Sequence, residues 1–196
     1  MNAGVDEIIK KLKEHGLKTP PETFYFSLKN ADYVFRETLS AMLSLSGKSM
    51  QWHTGYDEIV KWLSNNNGKG LYLYGTCGVG KTFISRYVLP AIFLQHFGKI
   101  LNSYDSNEMN NNPDEVLIKK NIVLDDIGTE DISVSYGNRR SVFSEVIDSA
   151  EKYGKLLIVT TNLNRSQIIE KYGNRVSDRI ISTTKQIEIK GESLRT

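Results

Sequence analysis

Apolar positions follow two different rhythms along this chain, and the rhythm changes near Tyr56. Ahead of it the period is helical. Val5, Ile8, Ile9 and Leu12 share one face of a predicted helix over residues 5–15, and a second helical stretch covers residues 32–45. Pro20 and Pro21 break the chain between them. From Tyr56 onward, short apolar runs alternate with amphipathic stretches. Residues 56–63 read as a short amphipathic helix, 70–74 as a buried strand, 81–96 as a helix and 99–104 as a second strand. An apolar third strand covers 121–125. A helix over 139–153 turns Val142, Phe143, Val146, Ile147 and Ala150 inward, and strands at 156–160 and 186–189 complete the series. Alternation of this kind predicts a parallel sheet covered by helices.

The punctuation fits. Asn65-Asn66-Asn67-Gly68 reads as a turn and Asn110-Asn111-Asn112-Pro113 as a loop. Tyr-Gly-Asn-Arg occurs at 136–139 and again at 172–175, each time just before a predicted helix. There Gly permits the turn and Asn can cap the first free amides, which is capping chemistry and not a repeat. Residues 1–54 form a helical extension with too little apolar content to fold alone, so docking on the main body or on a partner is expected. Residues 55–196 form the main domain.

Composition narrows the class. A chain of 196 residues with 39% hydrophobic and 24% charged residues suits one soluble globular unit. No apolar run approaches the roughly 20 residues that span a bilayer, so no membrane association is expected. Residues 1–13 lack the apolar core of a secretory signal. A single cysteine allows no intramolecular disulfide, and a cytoplasmic protein is the simplest reading. The formal net charge of +2 is too mild to imply nucleic acid by itself. Its distribution is uneven: residues 101–131 are acidic, and residues 151–196 lean basic.

The strongest chemical signal is the segment Gly75, Thr76, Cys77, Gly78, Val79, Gly80, Lys81, Thr82, which follows an apolar strand and opens a helix. Glycines at these positions let backbone amides turn inward around a phosphate, and the helix start adds its positive end. Lys81 suits the β- and γ-phosphates and the Thr82 hydroxyl suits magnesium; Phe83 completes the set expected to bind the nucleotide. ATP with Mg2+ is the expected ligand. A buried strand that ends in two acids, Asp125 and Asp126, is costly unless a cation or a water needs them. Asp125 would hold magnesium and Asp126 would polarise the attacking water; the plain alternative is a capping pair at a strand end. Asn162 closes the run Leu-Ile-Val-Thr-Thr-Asn, at the carboxyl end of a parallel strand where ligands gather. It is either a helper of that water or a turn asparagine.

Five motifs now stand in order: the loop at 75–82, Leu-Asp-Asp-Ile-Gly at 124–128, Thr-Thr-Asn-Leu at 160–163, Arg-Val-Ser-Asp-Arg-Ile at 175–180 and Gly-Glu-Ser-Leu-Arg at 191–195. Over residues 56–196 this combination resembles the DnaC/IstB-type AAA+ ATPases, which include bacterial and phage helicase loaders and transposition helper ATPases. The resemblance implies a three-layer α/β P-loop NTPase fold with a five-stranded parallel sheet in the order 5-1-4-3-2 and no C-terminal lid domain. It implies Lys81 and Thr82 as nucleotide-loop residues, Asp125 and Asp126 as the Walker B pair, and Asn162 as sensor 1. Arg179 matches the arginine presented to a neighbour's ATP, Arg175 would support it, and Arg195 matches sensor 2. Arginine suits such roles because its planar fork binds phosphate oxygens bidentately. The alternative for Arg175 and Arg179 is a surface helix with Asp178 in pairing range; for Arg195 it is a frayed terminus.

The resemblance implies an ATPase, slow alone, that assembles on a replicative helicase, with single-stranded DNA and an ATP-dependent homo-oligomer as further candidate partners. A helper acting on a transposase shares every motif. A small-molecule kinase or a non-hydrolysing adaptor fits the residues less well. The stretch 105–120, where such loaders carry an extra DNA-contacting helix, is short and acidic here, and residues 1–54 contain no zinc-ligand cluster.

Overall fold

The computed structural model describes residues 3–48, 51–129, 133–135 and 138–191. Three helices come first: α1 (Ala3–Glu14), α2 (Ala31–Leu45) and α3 (Tyr56–Ser64). Strand β1 (Gly70–Gly75) leads into α4 (Lys81–Phe83), a π-helical turn (Ile84–Val88) and α5 (Leu89–Phe97) without a break. Then follow β2 (Asn102–Asp105), α6 (Ser106–Asn111), α7 (Pro113–Ile118), β3 (Asn121–Ile127) and a hairpin of β4 (Ser133–Ser135) and β5 (Asn138–Arg140). The chain closes with α8 (Val142–Tyr153), β6 (Leu156–Thr161), α9 (Arg165–Tyr172), α10 (Asn174–Thr183) and β7 (Thr184–Ile189).

Five strands form one sheet in the order β2-β3-β6-β1-β7, every neighbouring pair parallel. Numbered along the chain this is 2-3-4-1-5, the expected order read from the other edge. Strand residues alternate between two cores, as the twofold period of a strand requires. Leu71, Leu73, Val123 and Ile158 face α2, α3 and the helix that follows β1. Tyr72, Ile122, Leu124, Leu157 and Val159 face α8, α9 and α10.

The front segment is built into the first core. Phe35, Leu39 and Leu43 of α2 are buried there together with Phe26 and Leu28. The ring of Phe26 meets both Trp62 and Phe93 edge-on at 5.1 Å, a favoured geometry for aromatic pairs. The asparagine turn does more than reverse the chain. Asn66 is buried, accepts from the Phe26 amide at 2.9 Å and donates to the Phe24 carbonyl at 2.9 Å. Backbone bonds from the Asn66 amide to the Phe26 carbonyl at 3.3 Å and from the Leu28 amide to the Leu63 carbonyl at 2.9 Å complete the tie of this extended segment.

Four expectations change. The helix predicted over 81–96 contains a π-turn, because Pro90 lies just beyond it. Proline lacks an N–H and its ring crowds the carbonyl four residues back, and one wider turn relieves both. The loop predicted at 110–113 is helical on both sides of Asn112, where Pro113 restarts the helix as α7. Helix α8 starts at Val142 and not near Arg139, because Asn138–Arg140 pairs antiparallel with Ser133–Ser135 and Ser141 supplies the cap. Asn174 makes no side-chain cap. Gly173, at φ 88°, separates α9 from α10, and Asn164 caps α9 instead.

Both the buried helix and the ion pair beneath it can be tested. Phe35→Ala empties a fully buried position and should lower stability by about 3–5 kcal/mol in urea unfolding; a loss below about 1 kcal/mol would place α2 outside the core. Glu58 of α3 bonds Lys185 of β7 at 2.8 Å and Lys61 at 2.5 Å. These bonds hold its carboxylate at about 2, below the ordinary value of 4.5. The contribution is therefore present above about pH 4.5 and lost as pH falls toward about 2. Glu58→Gln should flatten that part of the acid limb, and less so in high salt because the pair is part-exposed.

Candidate functional site

The carboxyl ends of β1, β3 and β6 meet at one cleft of about 270 Å3. The loop after β1 curls through positive φ at Gly75, Gly78 and Gly80. Gly75 is also a place of close approach, since a Cβ there would lie 2.2 Å from the Ile189 carbonyl of β7. Val79, in the middle of the loop, is buried in the first core, so it serves the loop through its backbone. Beneath it, the Tyr56 phenol reaches the Val79 carbonyl at 3.4 Å, and burial pushes its pKa well above that of an ordinary phenol.

Lys81 is 6% exposed. Its ammonium donates to the carbonyls of Gly75 at 2.9 Å and Thr76 at 2.7 Å, and to Asn162 Oδ1 at 2.8 Å. Asn162 in turn donates through Nδ2 to Asp126 Oδ1 at 2.9 Å. One amide thus bridges the cation of the loop to a carboxylate of the neighbouring strand, using its acceptor and a donor in the same plane. Asp126 sits at φ 54°, where the register of β3 against β6 shifts. Asp tolerates this left-handed conformation better than most residues, and the shift separates the Asp126 environment from that of Asp125.

Asp125 is 4% exposed. Its Oδ1 accepts from Thr160 at 2.6 Å and from Ser85 at 3.2 Å. The Thr160 hydroxyl also accepts the Asp126 amide at 2.9 Å. Neither Thr160 nor Ser85 stood out in the sequence as a supporting residue, although Thr160 lies inside the Thr-Thr-Asn motif. The far wall of the cleft was also missed. Leu43 at the end of α2, Lys48 and Tyr87 line it with Cys77, Thr82 and Phe83. The helical extension therefore borders the site directly.

The arginines lie elsewhere. Arg179 of α10 pairs with Asp148 and, at 2.8 Å, with Glu151, both on α8; Arg175 joins Asp148 at 2.9 Å. The anticipated partner Asp178 is replaced by residues a helix away, because α10 packs along α8. Arg195 lies outside the described residues.

The residues present fit a nucleoside triphosphate and magnesium. A buried ammonium and a glycine loop face the cleft, as a phosphate requires. Among the described residues no group of three or more His, Cys, Asp and Glu forms a metal cage. Magnesium needs none, since one or two protein ligands plus phosphate oxygens and water satisfy it. Among the described residues no helix is long and apolar enough to cross a membrane.

Fold and cleft together define a P-loop protein with the AAA+ arrangement of strands. Solved structures show the same fold. The DnaC helicase loader matches at 23% identity over 84% of this chain and 93% of its own, with a TM-score of 0.50. DnaI matches at 19% identity over 83% and 87%, with a TM-score of 0.50. Domain III of the replication initiation protein DnaA from Thermotoga maritima matches at 14% identity over 84% and 69%, with a TM-score of 0.51. The chain has the DnaC/IstB-type AAA+ fold; at these identities the likeness is one of fold. No family model matches the sequence, and no curated protein does.

Thr160→Val keeps the shape and removes the hydroxyl that serves both Asp125 and the Asp126 amide. It should cost about 1–3 kcal/mol in denaturant unfolding, as expected when buried polar groups lose their partner. A change within about 0.5 kcal/mol would mean that the carboxylate is satisfied without it.

Proposed function

We propose that this chain binds ATP with magnesium at the loop of residues 75–82 and hydrolyses it slowly, as a cytoplasmic assembly switch on a protein of the replication machinery. The observation that carries this reading is the bonded chain Lys81–Asn162–Asp126, which runs from the glycine loop to the end of β3. In this reading Lys81 and the backbone from Gly75 to Thr82 hold the phosphates, with Phe83 at the edge of the site. Thr82 and Asp125 hold magnesium, which when bound neutralises charge developing on the phosphates. Asp126, oriented by Asn162, accepts a proton from the attacking water. Thr160 and Ser85 keep Asp125 fixed.

Arg179 is assigned to a neighbouring subunit's site. Its ion pairs with Asp148 and Glu151 must be exchanged for phosphate oxygens on assembly, so weak turnover is expected of isolated protein. Arg195 is assigned to the chain's own nucleotide. The helical extension of residues 1–54 is assigned the role of reporting nucleotide state to a partner, since Leu43 and Lys48 border the cleft. The partner proposed is a replicative helicase, in keeping with the fold shared with the DnaC helicase loader.

Two measurements test the reading. Fluorescent ATP should bind wild type and Asp126→Asn alike, while Lys81→Ala should weaken binding by at least tenfold. Phosphate release should fall by a hundredfold or more in Asp126→Asn. Equal turnover in wild type and both variants would remove hydrolysis from the proposal. Turnover per subunit should also rise with protein concentration, and Arg179→Ala should abolish that rise. Activity indifferent to dilution and to Arg179→Ala would sink the shared site.

A further inference from the structure

The alternation of β7 marks an uncovered strip of the sheet. Ile187 and Ile189 point into the first core, whereas Gln186 and Glu188, on the other face, are exposed. Polar residues along one face of a strand mean that no helix lies over it. Cover therefore thins toward this edge: Val159 of β6 is fully buried, Tyr74 of β1 is half-buried and Gln186 is exposed. Where α9 and α10 meet this strip they leave a pocket of about 270 Å3. Its walls are apolar. Leu163, Ile168, Ile180 and Ile181 stand around the rings of Tyr72 and Tyr74, whose centres are 6.2 Å apart.

Two polar groups at this pocket have no use within the fold. The first is the phenol of Tyr72. The residue is 5% exposed, and its hydroxyl has no hydrogen-bond partner among the described residues. The neighbouring Thr161 hydroxyl is already committed: it donates to the Ile127 carbonyl and accepts the Leu163 amide at 3.0 Å. Burial pushes the Tyr72 pKa well above that of an ordinary phenol, so the group stays a donor. Buried hydroxyls nearly always find a partner, and this one lacks an acceptor. The second is Arg165, at the first position of α9. It is exposed, and among the described residues no carboxylate pairs with it. The first turn of α9 holds no acid. A cation there meets the positive end of its own helix, which is unfavourable. An anion at the mouth of the pocket would relieve both charges.

We propose that this pocket is a binding site for a small aromatic acid of one or two rings. The ring body fills the apolar walls and the carboxylate meets Arg165. A second oxygen, a hydroxyl or a carbonyl, accepts from the Tyr72 phenol. Apolar walls with a few placed polar groups are the usual make-up of a small-molecule site. An aliphatic side chain of a protein partner would fill the walls and leave both donors unmet. An acidic side chain would meet one donor and leave the walls bare. The pocket shares no lining residue with the cleft at the glycine loop, so it stands or falls separately from the ATP reading.

The test is a titration of the full chain, labelled at its isoleucine methyl groups, followed by NMR. The probe is a hydroxynaphthoate with its hydroxyl and carboxylate on opposite rings. Naphthoate, which lacks the hydroxyl, and naphthol, which lacks the carboxylate, are the controls. The probe should shift Ile168, Ile180 and Ile181 and saturate with a Kd below about 1 mM. Wild type should prefer it about fivefold or more over either control, and excess ATP should not displace it. Arg165→Gln should weaken the probe and naphthoate about tenfold and leave naphthol unchanged. Tyr72→Phe should weaken the probe about fivefold and leave naphthoate unchanged. The same variant should unfold at an unchanged or higher temperature, since it removes a hydroxyl that has no partner. No saturable shift, shifts centred on other isoleucines, or displacement by ATP overturns the proposal. So does a lower unfolding temperature of Tyr72→Phe, which would give the hydroxyl a structural partner. Naphthol binding as tightly as the probe would assign the walls to an apolar side chain of a partner instead.

Discussion

Three elements that are far apart in the sequence are joined at the buried carboxylate of Asp125. Thr160 reaches it from β6, Ser85 from the π-turn behind the glycine loop, and Asp125 itself ends the regular part of β3. A carboxyl group at this depth is tolerated only when hydrogen bonds replace its water, and two hydroxyls do so on one oxygen. The arrangement sets the rest. Because Thr160 also takes the amide of Asp126, the chain must turn at once, and Asp126 adopts φ 54° as the register shifts. That turn points the second carboxylate at Asn162, and through it at Lys81. Two consecutive acids thus acquire different surroundings, one buried and clasped, the other open to the cleft. This is the condition for giving two carboxylates two roles.

Much of this was legible in the chain, for identifiable reasons. The sheet order was implied by the family resemblance that the motifs carry, and the strand at 70–74 followed from an apolar run bounded by glycines. Local patterns carry such information because strand and helix periods differ. What stayed hidden depends on contacts between distant residues. Asn66 looked like any turn asparagine, yet it is the partner of the Phe24 and Phe26 backbone some 40 positions earlier. Ser85 gave no signal at all, because its partner lies at position 125. Strand β5 takes the start of the helix predicted from Arg139, and its pairing with β4 outweighed the period. The π-turn was readable in principle from Pro90, which disturbs the carbonyl four residues back.

Arg179 shows how a role carried by resemblance meets local electrostatics. On α10 it faces α8, whose Asp148 and Glu151 offer two carboxylates to one guanidinium. Its side chain is 24% exposed, so the pairing is not simply a solvated surface contact. A planar fork held on two oxygens is pre-shaped for a phosphate, but it has to leave one anion to meet another.

The sheet also separates opposite charges by its own length. Acids gather where β2 and β3 end, and lysines gather where β2, β3, β6 and β1 begin. A parallel sheet makes this inevitable once loops of one kind precede strands and loops of another kind follow them, since all entries share one edge and all exits the other. Between the two edges run the strands themselves and α8, which carries Tyr153 at its end and Asp148 on the flank that meets Arg179.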